Sequence, residues 1–183
     1  MDPDHKQASR RNEALVARLS GYWRLEAINV FLLPAAVLVC VYSFDGRLTA
    51  SLAVSLGANC LLLCIGACYW RIVHLQLLGH EEPFKKFLPW LDRLQPLAFL
   101  SVAVSVAFYG VEIMGIGYAW GATEWAATGV TLLALLEYVN YYHWQLQYFD
   151  HKPDFVALMK TRRLRRAHMA RAIRRWREGK RSP

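Results

Sequence analysis

The chain has 183 residues, 55% of them hydrophobic and 13% aromatic, and a formal net charge of +8 at pH 7. Its apolar residues are gathered into four long blocks, while 22 Lys and Arg fall almost entirely between and beyond them. That segregation argues against a soluble helical bundle, which places charges on every turn, and fits a chain that crosses about 30 Å of hydrocarbon with about 20 apolar residues per pass.

Residues 1–24 read as a cytoplasmic segment, with a short amphipathic helix over 8–23 that sets Leu15, Leu19 and Trp23 on one side and rests at a membrane surface. A first span is predicted over 25–44, with Glu26 and Asn29 near its start, followed by a turn at Asp45, Gly46 and Arg47. The second, over 48–73, closes on Tyr69, Trp70 and Arg71, an aromatic and basic interface anchor. From Pro83 to Gln95, Phe84, Phe87, Leu88, Trp90 and Leu91 are interspersed with Lys85, Lys86, Asp92 and Arg93, which suits an interfacial segment interrupted at Pro89. The third span, 96–118, opens on Pro96 and carries Glu112 close enough to its outer end to be hydrated. The fourth, 124–149, holds Glu137 and Asn140 inside it. Residues 150–183 form a basic tail that restarts as a helix after Pro153, capped by Asp154 and running to about Arg177. The predicted fold is therefore all-α: an integral membrane four-helix bundle over 25–149, helical in each span because unpaired amides are too costly in lipid.

Of the 22 Lys and Arg, only Arg47 falls in the first or third connection. Since basic residues are retained on the cytoplasmic side during insertion, both termini are expected in the cytoplasm. The stretch before the first apolar run includes Asp2, Asp4, Glu13 and Glu26, too long and acidic for an ordinary signal peptide. Leu38-Val39-Cys40 is no lipoprotein cleavage site, because Val39 is too large. Short loops and the basic bias point to a multi-pass protein of a bacterial inner membrane.

Cys60, Cys64 and Cys68 recur every fourth residue on the second span, so they lack the C-x-x-C spacing of thiol oxidases. Cys40 sits at a different depth from Cys60, by roughly 12 Å, too far for a disulfide. The three are expected to be small residues at a helix contact, beside Ala53, Gly57 and Ala67.

Leu136–Phe149 is the most informative segment. Glu137, thirteen residues into the predicted span, falls near the bilayer centre, where a carboxyl is protonated, hydrogen-bonded or facing a water-filled cavity. Asn140 and Tyr141 share its face, Trp144 and Tyr148 continue that line, and His143 and Gln147 lie beside it. Glu26 and Asn29 of span one and Arg71 and His74 at the end of span two stand at the level of the lower part of this ribbon. The candidate ligand or ion site is thus Glu137, Asn140, Tyr141, His143, Trp144, Glu26, Asn29 and His74. A packing network with no further role is the competing interpretation.

The run Glu137-Tyr-Val-Asn-Tyr-Tyr-His-Trp-Gln-Leu146, followed by an acidic and basic turn and the Arg-Arg-Leu-Arg-Arg-Ala-His tail, resembles small four-span bacterial membrane proteins labelled general stress proteins. That resemblance implies a four-span plan and bacterial origin, and no reaction, cofactor or catalytic residue.

In the tail, Arg162, Arg163, Arg165, Arg166, Arg174 and Arg175 form a surface for anionic lipid head groups. A cytoplasmic protein is a second partner it admits, and the absence of an RNA-binding motif counts against nucleic acid. Nucleophile-elbow, zinc-protease and nucleotide-loop motifs are missing, and no metal or cofactor is assigned. The expected function is non-enzymatic: a small, oligomeric inner-membrane protein binding a lipid, small molecule or ion at the polar site, with conduction as one version. Its alternatives are a membrane enzyme using Glu137, His143 and His74 as acid-base groups, and a structural scaffold with a lipid- or partner-binding tail.

Overall fold

A computed structural model describes residues 3–116, 120–146, 160 and 164–179, with side chains from residue 13 onward. Its helices are α1 (Pro3–Ser43), α2 (Ala50–Leu77), α3 (Glu82–Ile116), α4 (Ala122–Tyr142) and α5 (His168–Gly179). Among the described residues there is no strand, only an isolated antiparallel bridge between Trp144 and Arg166. α2 is the central helix, packed against α1, α3 and α4, while α5 lies across α3 and α4.

Among the described residues three helices, α1, α2 and α3, are long and apolar enough to cross a membrane. α4, with 21 residues, is not among them, because Glu124, Trp125, Glu137 and its tyrosines and threonines dilute the leucines. Two expected breaks are absent. The amphipathic N-terminal segment and the first span form one continuous helix, since only Gly21 and Pro34 interrupt an otherwise helix-compatible run. Likewise α3 runs unbroken through Pro89 and Pro96. Each proline forfeits one backbone hydrogen bond, and the helix continues past both with Leu88, Leu91 and Ala98 buried around them.

The bundle is inside-out in polarity. Only 6% of the apolar window of α1 and 17% of that of α3 is buried, against 56% for α2. Phe31, Val39, Val111 and Met114 point outward at 68–81% exposure. Ser51, Ser55, Asn59, Ser105, Thr123 and Thr131 are instead fully enclosed. At the centre Ser55 Oγ lies 2.7 Å from Ser105 Oγ and 2.8 Å from Thr131 Oγ1, joining α2, α3 and α4. Asn59 Nδ2 donates to the carbonyls of Ser55 and Val130 at 2.9 and 2.8 Å. Ser55→Ala should therefore cost about 1–2 kcal/mol, the upper range for hydrogen bonds between helices in lipid. Ser101→Ala, which removes only a bond to Ala98 of the same helix, should be close to neutral; equilibrium unfolding in mixed detergent measures both.

The polar face of α2 corrects the expectation for the cysteines. Ala53, Gly57, Cys64 and Cys68 are exposed, whereas Ala67 is buried and the half-buried Cys60 donates to Val30 O at 3.4 Å. The helix contact is made by the opposite face, because Ser55 and Asn59 find hydrogen-bond partners there. All four cysteines are free.

At the end of the bundle away from α5, Thr123 Oγ1 accepts from Arg47 N at 2.9 Å and donates to Arg47 O at 3.1 Å. Gly46 has no room for a side chain, since a Cβ would come within 2.7 Å of Val41 Cγ1. Glu112 accepts from Ser51 N at 3.4 Å, so this carboxyl serves one of the orphan amides opening α2.

Candidate functional site

A cleft of about 660 Å³ lies among α1, α2, α4 and α5. One face of α1 lines its length, with Arg18, Tyr22, Glu26 and Asn29 following one another at intervals of three and four residues. α4 contributes Glu137, Asn140 and Tyr141, α2 contributes Tyr69 and Trp70, and the segment around α5 contributes Arg165, His168 and Arg171.

Its floor is built on one close approach. The Tyr141 hydroxyl, on a side chain only 4% exposed, donates into the Glu26 carboxyl and stands 2.8 Å from both oxygens. Gly66 on α2 makes room for the pair: a Cβ there would sit 2.2 Å from Tyr141 Oη and 3.0 Å from Glu26 Oε2. Glu137, one turn before Tyr141, brings a second carboxyl to the same group, and its Oε2 is buried without a hydrogen-bond partner in the structure. A tyrosine has a single proton to donate. The floor therefore offers more acceptor capacity than its own donors fill.

Helix α4 ends at Tyr142, short of the predicted 149, because Asn140 Oδ1 accepts the amide of Leu146 at 2.8 Å and draws the chain off the helix axis. Glu137 consequently lies five residues, about 7.5 Å, from the helix end, rather than at the middle of a longer span. Beyond the helix, Gln145 N donates to Arg165 O at 2.9 Å and Ala167 N to His143 O at 3.1 Å. These two bonds set the start of α5 over the cleft.

Met169 and Ile173 anchor α5, each under 5% exposed. At its far end Arg177 Nε donates to Asp92 Oδ1 at 2.8 Å. At its near end His168 Nδ1 pairs with the Tyr69 hydroxyl, and its ring packs 5.7 Å from that of Trp70. Loss of solvent around this ring, then Arg171 and Arg175, hold the His168 pKa below its ordinary 6.5. The sign follows from linkage: a histidine kept neutral in the fold is protonated first in the unfolded or undocked chain, so docking weakens as pH falls below about 6.5. Acidification from pH 8 to 5 should loosen α5, and His168→Gln should flatten that dependence; hydrogen exchange of residues 168–179 checks it.

Of the residues proposed from sequence, Glu26, Asn29, Glu137, Asn140 and Tyr141 line one cleft. His143 and Trp144 do not; both are exposed, His143 against Tyr138 and Trp144 in the bridge to Arg166. His74 is half-buried outside the cleft lining, with Nδ1 unpartnered. Arg165 reaches the cleft, whereas Arg174 pairs with Glu178 at 2.6 Å and Arg166 and Arg175 are exposed. Gln147, Tyr148, His151, Asp154, Phe155, Met159, Arg162 and Arg163 lie outside the described residues. Sequence reasoning missed Gly66, Tyr69, His168, Arg171 and Arg18. For Arg18 a signal was present, because it precedes Tyr22 and Glu26 on one helical line.

No family model, curated protein or solved structure matches this chain. Among the described residues no three His, Cys, Asp or Glu side chains gather as a metal site. The cleft's chemistry is thus defined by its own residues: carboxyl acceptors at the floor, aromatic walls, and arginines with a histidine at the mouth.

Proposed function

We propose that the protein is a four-span membrane protein, with both termini in the cytoplasm of a bacterium, that binds an amphipathic ligand in this cleft without transforming it. The observation that carries the reading is the buried, unpartnered Glu137 Oε2 beside the Glu26–Tyr141 pair. A buried acceptor left unsatisfied costs free energy, and an incoming hydroxyl or ammonium donor would supply what Tyr141 cannot. The outward apolar faces of α1 and α3 and the enclosed Ser55, Asn59 and Thr131 support a lipid setting for the bundle. α4 belongs in it as the fourth span, since it returns the chain to the side of α5 with its leucines outward: Leu132, Leu135 and Leu136 are 38–53% exposed.

Binding is favoured over catalysis because His143 and His74 do not reach the carboxyls of the cleft. The test has two parts. Accessibility tags at Arg47, exposed in the same turn, and at Gly121 should be labelled from outside the cell, and tags at residue 80 and the C-terminus only after permeabilisation. Protein purified in mild detergent should carry an extractable amphiphile that bears a hydroxyl or amine. A ligand-free preparation that no such compound stabilises against heat would remove the proposal.

A further inference from the structure

Resting on that reading of the cleft, we infer that its basic end binds a phosphate group, and that the occupant is a phospholipid whose head group reaches from there toward the carboxyl floor. Arg18 from α1 and Arg171 from α5 both line the mouth, both are exposed, and neither is in an ion pair among the described residues. The Arg18 guanidinium lies 5.3 Å from the Tyr22 ring centroid, a stacked position that leaves its edge N–H groups available. His168 pairs through Nδ1 with the Tyr69 hydroxyl, which fixes its ring beside the two arginines at the cleft lining. The mouth therefore presents two guanidinium forks, the groups that suit a phosphate oxygen cluster.

A simple anion does not account for the rest of the cleft. The acceptor oxygens of Glu26 and Glu137 at the floor offer nothing to a second anionic oxygen, and Glu26 lies about 12 Å from the Arg18 level, eight residues along α1. An arginine side chain can cover about half of that span, and a head group with phosphate at one end and a hydroxyl or ammonium at the other covers the rest. Leu15, Leu25 and Leu77 line the cleft while remaining 43%, 58% and 50% exposed. They form an apolar opening through which acyl chains leave sideways. A soluble phosphate ester would have no use for that opening.

The test uses full-length protein in detergent, with bound lipid counted by native mass spectrometry. Phosphatidylglycerol should bind saturably as a single copy, and Arg18→Gln and Arg171→Gln should each weaken it at least tenfold. Arg174→Gln, outside the cleft, should leave it unchanged, and Arg171→Lys should recover part of the loss. Phosphatidylglycerol affinity within twofold of wild type in both glutamine variants overturns the phosphate site. Glycerol 3-phosphate should bind at least a hundredfold more weakly than the lipid; equal affinity overturns the lipid as occupant and leaves a soluble phosphate ester in its place. Phosphatidylcholine, whose head group has no hydrogen-bond donor, should bind about tenfold more weakly than phosphatidylglycerol. If it binds equally well, with the arginine dependence intact, the donor-accepting floor of the proposed function falls while the phosphate site stands.

Discussion

Replacing Gly66 with alanine is expected to be among the most damaging single changes in the bundle. The added methyl would meet Tyr141 Oη at 2.2 Å, Tyr141 Cζ at 2.6 Å and Glu26 Oε2 at 3.0 Å. Tyr141 cannot slide away, because it is enclosed at 4% exposure and belongs to the main apolar cluster with Leu62, Ile65 and Tyr69. Overpacking of this kind costs about 1–3 kcal/mol, and loss of the hydrogen bond to the Glu26 carboxyl adds about 1.5–3 kcal/mol. Alanine's helix preference returns at most about 1 kcal/mol. A net loss of roughly 3 kcal/mol by these terms should appear as a large fall in the detergent melting temperature, together with loss of ligand binding. Gly57→Ala is the control, since nothing lies within 4 Å of the position a Cβ would take there; it should be neutral or slightly stabilising. In a Tyr141→Ala background the cost of Gly66→Ala should mostly disappear, which a double-mutant cycle measures. Equal effects of the two glycine substitutions would show that the Glu26–Tyr141 approach does not depend on α2.

The long helices were legible because apolar blocks bounded by charge leave few alternatives. Part of the floor was legible too: Glu137, Asn140 and Tyr141 share a face by the i, i+3, i+4 rule, and Glu26 stands at a matching level on another apolar block. What could not be read depended on partners distant in sequence. Both faces of α2 are rich in small residues, Ala53, Gly57, Cys60 and Cys64 on one and Ser51, Ser55 and Asn59 on the other. Only Ser105 and Thr131, 50 and 76 residues away from Ser55, decide which face is inside. The early end of α4 has no proline or glycine to announce it; a side-chain bond from Asn140 to Leu146 produces it. The position of α5 follows from Tyr69, Asp92 and the bridge at Trp144, none of which the tail's own charge pattern reveals. The weight given to His143 and Trp144 came from extending α4 as a helix, and it lapses where the helix stops.

Glu137→Leu is expected to separate stability from function. Glu137 Oε2 is buried and has no hydrogen-bond partner in the structure, and replacing an unsatisfied polar group by an apolar one of similar size is often neutral or stabilising. The leucine variant should therefore insert, and unfold within about 1 kcal/mol of wild type or above it, the scale of single hydrogen bonds between membrane helices. Glu26→Leu should behave differently. It strips from Tyr141 the carboxyl that its hydroxyl meets at 2.8 Å and leaves the buried phenol only the Glu137 carboxyl to turn to, at a cost of about 1–3 kcal/mol. Glu137→Gln keeps shape and one acceptor oxygen but lacks a full negative charge. A ligand that offers an ammonium should lose at least tenfold in affinity to this variant, whereas one that offers a hydroxyl should lose less, since an amide oxygen still accepts from it. Unfolding in mixed detergent and lipid binding by native mass spectrometry, measured on the same preparations, read the two effects apart. Were Glu137→Leu to destabilise the bundle as much as Glu26→Leu while binding stayed at the wild-type level, Glu137 would be a strut of the α4 seam, and the carboxyl floor would have no ligand to explain.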